Sequence, residues 1–157
     1  MGRRCPATAA VLLLLGTLAG CVAPGGRPES RANDPTPLSS LETVAGGEWR
    51  LVGLTLEDRQ VDIDPEATPT LSVEETGRIQ GLATLNRYFG QLELEAEGRI
   101  RWAGPLGSTM MAGPEPLMDQ ETAFLKALEG ARRIALSDGR LILRDEDRCT
   151  VLAFEKR

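Results

Sequence analysis

Along residues 41 to 157 the apolar positions recur with two different periods. Most of the stretch alternates apolar and polar residues, the period of a strand with one buried face. Residues 92 to 95 read Leu-Glu-Leu-Glu and residues 99 to 102 read Arg-Ile-Arg-Trp. A three-residue loop, Ala96-Glu97-Gly98, sets Glu95 opposite Arg99, Leu94 opposite Ile100, Glu93 opposite Arg101 and Leu92 opposite Trp102. One face is then apolar and the other carries opposite charges, whereas a two-residue loop sets Glu95 against Ile100. By the same rule Glu75-Thr76-Gly77 sets Val73 against Ile79. Asp138-Gly139 suits a two-residue turn that pairs Leu136 with Leu141 and Ile134 with Leu143. A first strand spans Trp49 to Leu56, and a last one spans Cys149 to Phe154.

Between Leu117 and Glu129 the period changes to that of a helix. Leu117, Phe124 and Leu128 share one face, with Met118 and Leu125 beside them. Pro116 fits the first turn, Asp119 and Glu121 favour the amino end, and Gly130 offers a left-handed stop. The elements predict an α+β fold: a cracked, partly open antiparallel β-barrel of about seven short strands, closed by one helix.

The first forty residues follow neither period. Arg3 and Arg4 precede the apolar run from Ala9 to Leu15, which is too short to cross a bilayer as a mature helix. Residues 1–20 read as a signal peptide. Leu18-Ala19-Gly20-Cys21 looks like a lipobox, which makes Cys21 the expected lipidation site. The competing readings are an ordinary signal or an uncleaved anchor. Residues 21–40, rich in proline and glycine and lacking an apolar period, read as a lipidated flexible tether. The folded domain is expected over 41–157. Val22 after the cysteine, in place of an aspartate, points to the outer membrane, with the domain facing the periplasm.

Composition narrows the chemistry. The chain carries a net charge of −5 and no histidine. The charge does not indicate nucleic-acid binding. The missing histidine removes the usual general base and metal ligand. No catalytic residue, metal or cofactor is expected. Glu93 and Glu95 are expected on a solvated face, and Asp145-Glu146-Asp147 lacks the spacing of a calcium loop. Ser108 lies outside a G-x-S-x-G elbow. The expected partners are the membrane, through the lipid anchor, and a lipid or an envelope protein; the chain is expected to be a monomer. Cys149, on a strand, is expected to be a buried, inert thiol.

Two of the six aromatic residues are adjacent in Leu85-Asn86-Arg87-Tyr88-Phe89-Gly90. As a site, Arg87 and Tyr88 form an exposed ligand rim. As a connection, Asn86 bonds its own backbone, Phe89 plugs the core and Gly90 supplies a permissive dihedral; turn chemistry favours this second reading. Met110 and Met111 either pack under the helix or form a soft apolar lip for a ligand.

The order of these segments resembles the META-domain family, which includes HslJ-like heat-inducible lipoproteins. The resemblance rests on Trp49-Arg50-Leu51-Val52, Gly81, Asn86 to Gly90, Ser108 to Ala112, and Pro116 with Met118, Gln120-Glu121, Phe124-Leu125 and Ala127-Leu128. It implies a cracked β-barrel interrupted by a helix, similar to that of secretin pilotins, and a link to envelope stress with no agreed molecular activity. It also implies cysteines where this chain has Leu85 and Gly113, and arginine where it has Met110. If those cysteines touch, their joint loss is coherent, and the fold forgoes about 3–4 kcal/mol from the closed loop.

Overall fold

The computed structural model describes residues 35–157. The segment read as a signal peptide, Cys21 and most of the segment read as a tether lie outside the described residues. Eleven strands and one helix follow in chain order. They are β1 (Thr36–Pro37), β2 (Glu48–Leu56), β3 (Arg59–Gln60), β4 (Thr70–Val73), β5 (Arg78–Leu82) and β6 (Arg87–Leu94). After these come β7 (Ile100–Trp102), β8 (Gly107–Ser108), α1 (Glu115–Gly130), β9 (Arg133–Ser137), β10 (Arg140–Arg144) and β11 (Val151–Lys156). The strands form one antiparallel sheet in the order β1-β9-β10-β11-β2-β4-β5-β6-β7, with β3 on β2 and β8 on β6. The α+β class holds. The strand count is eleven rather than about seven, because three of the strands are two residues long. Among the described residues no ladder closes the sheet; an isolated bridge joins Arg99, just before β7, to Arg133 in β9. Among the described residues no helix is long and apolar enough to cross a membrane.

The hairpin registers follow the alternation. Leu92 pairs with Trp102, Glu93 with Arg101 and Leu94 with Ile100. Val73 pairs with Ile79, Leu136 with Leu141 and Ile134 with Leu143. Asp138 and Gly139 both have positive φ, as a type I′ turn requires. One charge pairing differs: Glu95 forms its ion pair diagonally with Arg101, at 3.4 Å, rather than with Arg99.

The boundaries also move for physical reasons. β1 falls in the segment read as tether, and Leu38 is buried. There it completes an edge of the sheet, donating from its backbone N–H to Ile134 O at 3.3 Å. A Cβ at Gly98 would strike Ile134 O and crowd Pro37, so this close approach needs glycine. In β2 the register shifts opposite Ala153 and Phe154. The extra residue lets both Leu51 and Leu54 face the core, which strict alternation forbids. Gly130 does not adopt a left-handed conformation. The helix instead stops as Ala131 turns to extended backbone, φ −63° and ψ 136°. Cys149 is buried, and it lies just before β11 rather than within a strand.

The core lies between the curved sheet and α1. Phe124 stands at its centre, edge-on to Tyr88 with ring centroids 5.5 Å apart and to Phe154 at 6.4 Å. All three rings are fully buried. The two tryptophans satisfy their N–H groups at the margins, Trp49 on Val44 O at 2.9 Å and Trp102 on Ala131 O at 3.1 Å.

Candidate functional site

The residues of the Asn86–Gly90 stretch divide between two environments. The connection from β5 to β6, residues 83–86, turns beneath the amino half of α1, and Ala83 N–H donates to Asn86 O at 2.7 Å. The N–H groups of Leu85 and Asn86 have no strand partner there. Glu121, buried on α1, accepts both at Oε2, at 3.0 and 2.9 Å, and accepts Asn86 Nδ2 at Oε1 at 2.7 Å. Asn86 passes the connection on. Its Oδ1 accepts from Thr109 Oγ1 at 2.8 Å and from Met111 N–H at 2.7 Å. Asn86 therefore ties the helix to the 109–111 loop; it does not bond its own backbone, as the turn reading expected. Gln120 does similar work beside it: Oε1 accepts from Asp64 N–H at 2.6 Å, and Nε2 donates to Ala67 O at 2.9 Å.

Both readings of the aromatic pair are reversed. Tyr88, expected on an exposed rim, is 1% exposed, and Phe89, expected in the core, is 56% exposed. The signal for this was present. Counting back by twos from inward Leu92 passes through Gly90 and reaches Tyr88, so Phe89 must face outward. Gly90 is extended rather than left-handed; a Cβ there would collide with Leu106. The sequence places Glu121 near the helix amino end for its charge and gives neither it nor Gln120 a buried role, because the helical period is counted from apolar residues alone; both are buried. Yet Glu121 sits four residues after Leu117, three before Phe124 and seven before Leu128. It is a carboxylate on the core-facing stripe, and such a residue needs buried donors.

Tyr88 is a post rather than a rim residue. Its hydroxyl donates to Thr70 O at 2.8 Å, and burial raises its pKa above the ordinary tyrosine value. Below the unfolded-state value the phenol is neutral in both states and costs nothing. Above it the unfolded chain ionises while the folded one does not. Stability is therefore expected to be constant with respect to this group up to about pH 10 and then to fall, by up to about 1.4 kcal/mol per pH unit. It is the only tyrosine in the chain, so the ultraviolet phenolate band should appear together with unfolding. A phenolate forming near pH 10 in folded protein would contradict this burial.

Met110 and Met111 are 97% and 58% exposed. They do not pack under the helix. With Met118 of α1 they line a cleft of about 300 Å³ whose floor includes Asn86 and Glu121. Of the expected rim residues, the structure brings together Met110 and Met111. Arg87 opens instead onto a separate polar groove across β6, and Tyr88 is withdrawn into the core. Leu85 and Gly113, the positions at which the resemblance implies cysteines, do lie together. A Cβ on Gly113 would collide with the Leu85 side chain, so the leucine occupies that space. Among the described residues no group of three or more His, Cys, Asp or Glu gathers as a metal site would.

The META domain model matches residues 42–157. The fold is similar to the NMR structure of a protein from Burkholderia xenovorans, with a TM-score of 0.65 and 22% identity over 87% of this chain and 99% of that one. A second NMR structure gives 0.54 and 23% over 75% and 95%. The crystal structure of a DUF4847 family protein from Bacteroides vulgatus gives 0.53 and 14% over 73% and 95%. At these identities the likeness is one of fold. No curated protein matches the sequence.

Proposed function

Because the chain belongs to the META domain family, we propose that it is a non-enzymatic binding module of a bacterial envelope, taking a lipid or other apolar ligand in the methionine-lined cleft. The observation that carries this reading is the pair of exposed thioethers mounted on a fixed floor. Met110 and Met111 are free to adapt to an irregular apolar surface. The Asn86–Glu121 bonds hold the backbone beneath them. Binding without turnover is supported by the chemistry at hand. The chain has no histidine, Ser108 Oγ donates to the neighbouring Thr109 O at 2.7 Å, and the Glu121 carboxylate is committed to three donors.

On this reading Cys21 carries the acyl chains that hold the protein to the outer membrane, and the segment after it sets the reach of the domain into the periplasm. Tolerance of envelope stress would follow from capture of a ligand or partner there. Methionine is also enriched at protein interfaces. The nearly complete exposure of Met110 therefore favours, as the second reading, a pilotin-like module that escorts an envelope protein.

One mass-spectrometric experiment on the purified mature protein tests the proposal. Under denaturing conditions the mass should show acylation at Cys21; a Cys21 sulfur found in a disulfide with Cys149 would exclude the anchor. Under native conditions a non-covalent acyl ligand should co-purify. Its occupancy should fall about tenfold, equivalent to about 1.4 kcal/mol, in the Met110→Ser, Met111→Ser double variant. An empty cleft together with a captured envelope protein supports the second reading.

A further inference from the structure

The outer face of the sheet carries a second, chemically different groove. Strands β2, β4, β5 and β6 and the 65–68 loop enclose about 650 Å³. Its floor is polar, formed by Thr70, Ser72 and Gln80. Four arginines, Arg50, Arg78, Arg87 and Arg157, line it against two glutamates, in a chain whose net charge is −5. Two of the arginines are already used. Arg50 Nη2 donates to Pro65 O and Thr68 Oγ1, both at 2.9 Å, and Arg157 pairs with Glu48 at 3.0 Å. The Arg78 and Arg87 side chains form no ion pair among the described residues.

The register fixes the separation of these two. Arg87 pairs with Leu82, and Arg78 with Gln91. Arg78, Gln80 and Leu82 share a face, so the two arginines stand on the same face at opposite ends of the β5–β6 ladder. Four residues of strand place their backbones about 14 Å apart. Phe89, opposite Gln80, lies between them on the exposed side.

We propose that this groove binds a linear, hydroxyl-rich polyanion, namely a segment of an acidic glycan. Two arginines rooted about 14 Å apart, at opposite ends of the ladder, suit anionic groups repeated along a chain, each held by paired N–H bonds. The threonine, serine and glutamine side chains between them match sugar hydroxyls and would be poor company for an acyl chain. The exposed Phe89 ring offers an apolar face to a pyranose. An acidic peptide is a weaker match, because backbone donors and acceptors on a sheet face are consumed by the ladders and only side chains remain for recognition. A nucleic acid is disfavoured by the net charge.

The test is calorimetric titration of the full-length protein in neutral detergent with oligogalacturonates of increasing length. Affinity should rise with length until the groove is spanned, and neutral maltooligosaccharides should not bind. Arg78→Gln and Arg87→Gln should each weaken binding about tenfold and together about a hundredfold. Arg101→Gln, which deletes the same charge in an ion pair outside the groove, should leave it unchanged. Failure of every oligogalacturonate to bind would overturn the proposal, as would affinity indifferent to Arg78 and Arg87. Tighter binding of single-stranded DNA through the same arginines would overturn it in favour of nucleic acid.

Discussion

Replacing Glu121 with alanine is expected to lower stability by about 3–5 kcal/mol. The carboxylate takes bonds from the N–H groups of Leu85 and Asn86 and from Asn86 Nδ2. Each buried donor left unsatisfied costs about 1–3 kcal/mol, and water entering the vacated space recovers part of the sum. The damage should spread through Asn86 to Thr109 and Met111, which bond its Oδ1. Glu121→Gln is expected to cost less, because its amide oxygen still accepts two backbone bonds. Its NH₂ would face Asn86 Nδ2 donor to donor. Flipping the asparagine relieves that conflict only by turning Nδ2 toward the Thr109 and Met111 donors. Urea and thermal unfolding measure both variants, and the alanine variant should lose about 10–20 °C in Tm. A loss below about 1 kcal/mol would show that the network does not hold the connection to the helix.

Phe124→Ala is expected to cost about 3–5 kcal/mol through the cavity it opens at the centre of the core. It also removes the edge contacts with Tyr88 and Phe154, worth about 0.5–1.5 kcal/mol each. Phe124→Leu, which fills most of the space but makes no aromatic pair, should cost about 1–2 kcal/mol. Measured by urea titration, the two variants should keep the wild-type denaturant slope if only packing is lost. A cost below about 1.5 kcal/mol for the alanine variant would mean that the interior collapses around the gap and is not close-packed.

Legibility differed between elements for physical reasons. The hairpin at Asp138-Gly139 could be read because positive φ at two successive residues is a local requirement that few residue types meet. The Leu92–Trp102 pairing could be read because sliding it by one position puts glutamates where leucines belong. At Asn86 to Gly90 the local signals competed. Turn propensity drew Asn86 toward its own backbone, but the three-dimensional fold offered it a carboxylate 35 residues away in sequence. Tyr88 and Phe89 are comparable in bulk, so size could not decide which of them faces inward; only the parity of the strand running back from Leu92 did.

The sequence by itself determined that strands pair as short hairpins, where one helix forms, and that the chain is similar to META-domain proteins, because turn chemistry and apolar period act over a few residues at a time. The tertiary structure alone decided that Glu121 anchors the β5–β6 connection, that Met110 and Met111 share a cleft with Met118, and that Arg78 and Arg87 stand at the two ends of one groove. The first joins residues 35 positions apart; the other two span fewer positions but depend on how helix, loop and neighbouring strands pack. All three exist only once the sheet has curved around Phe124 and brought separate strands onto a common face.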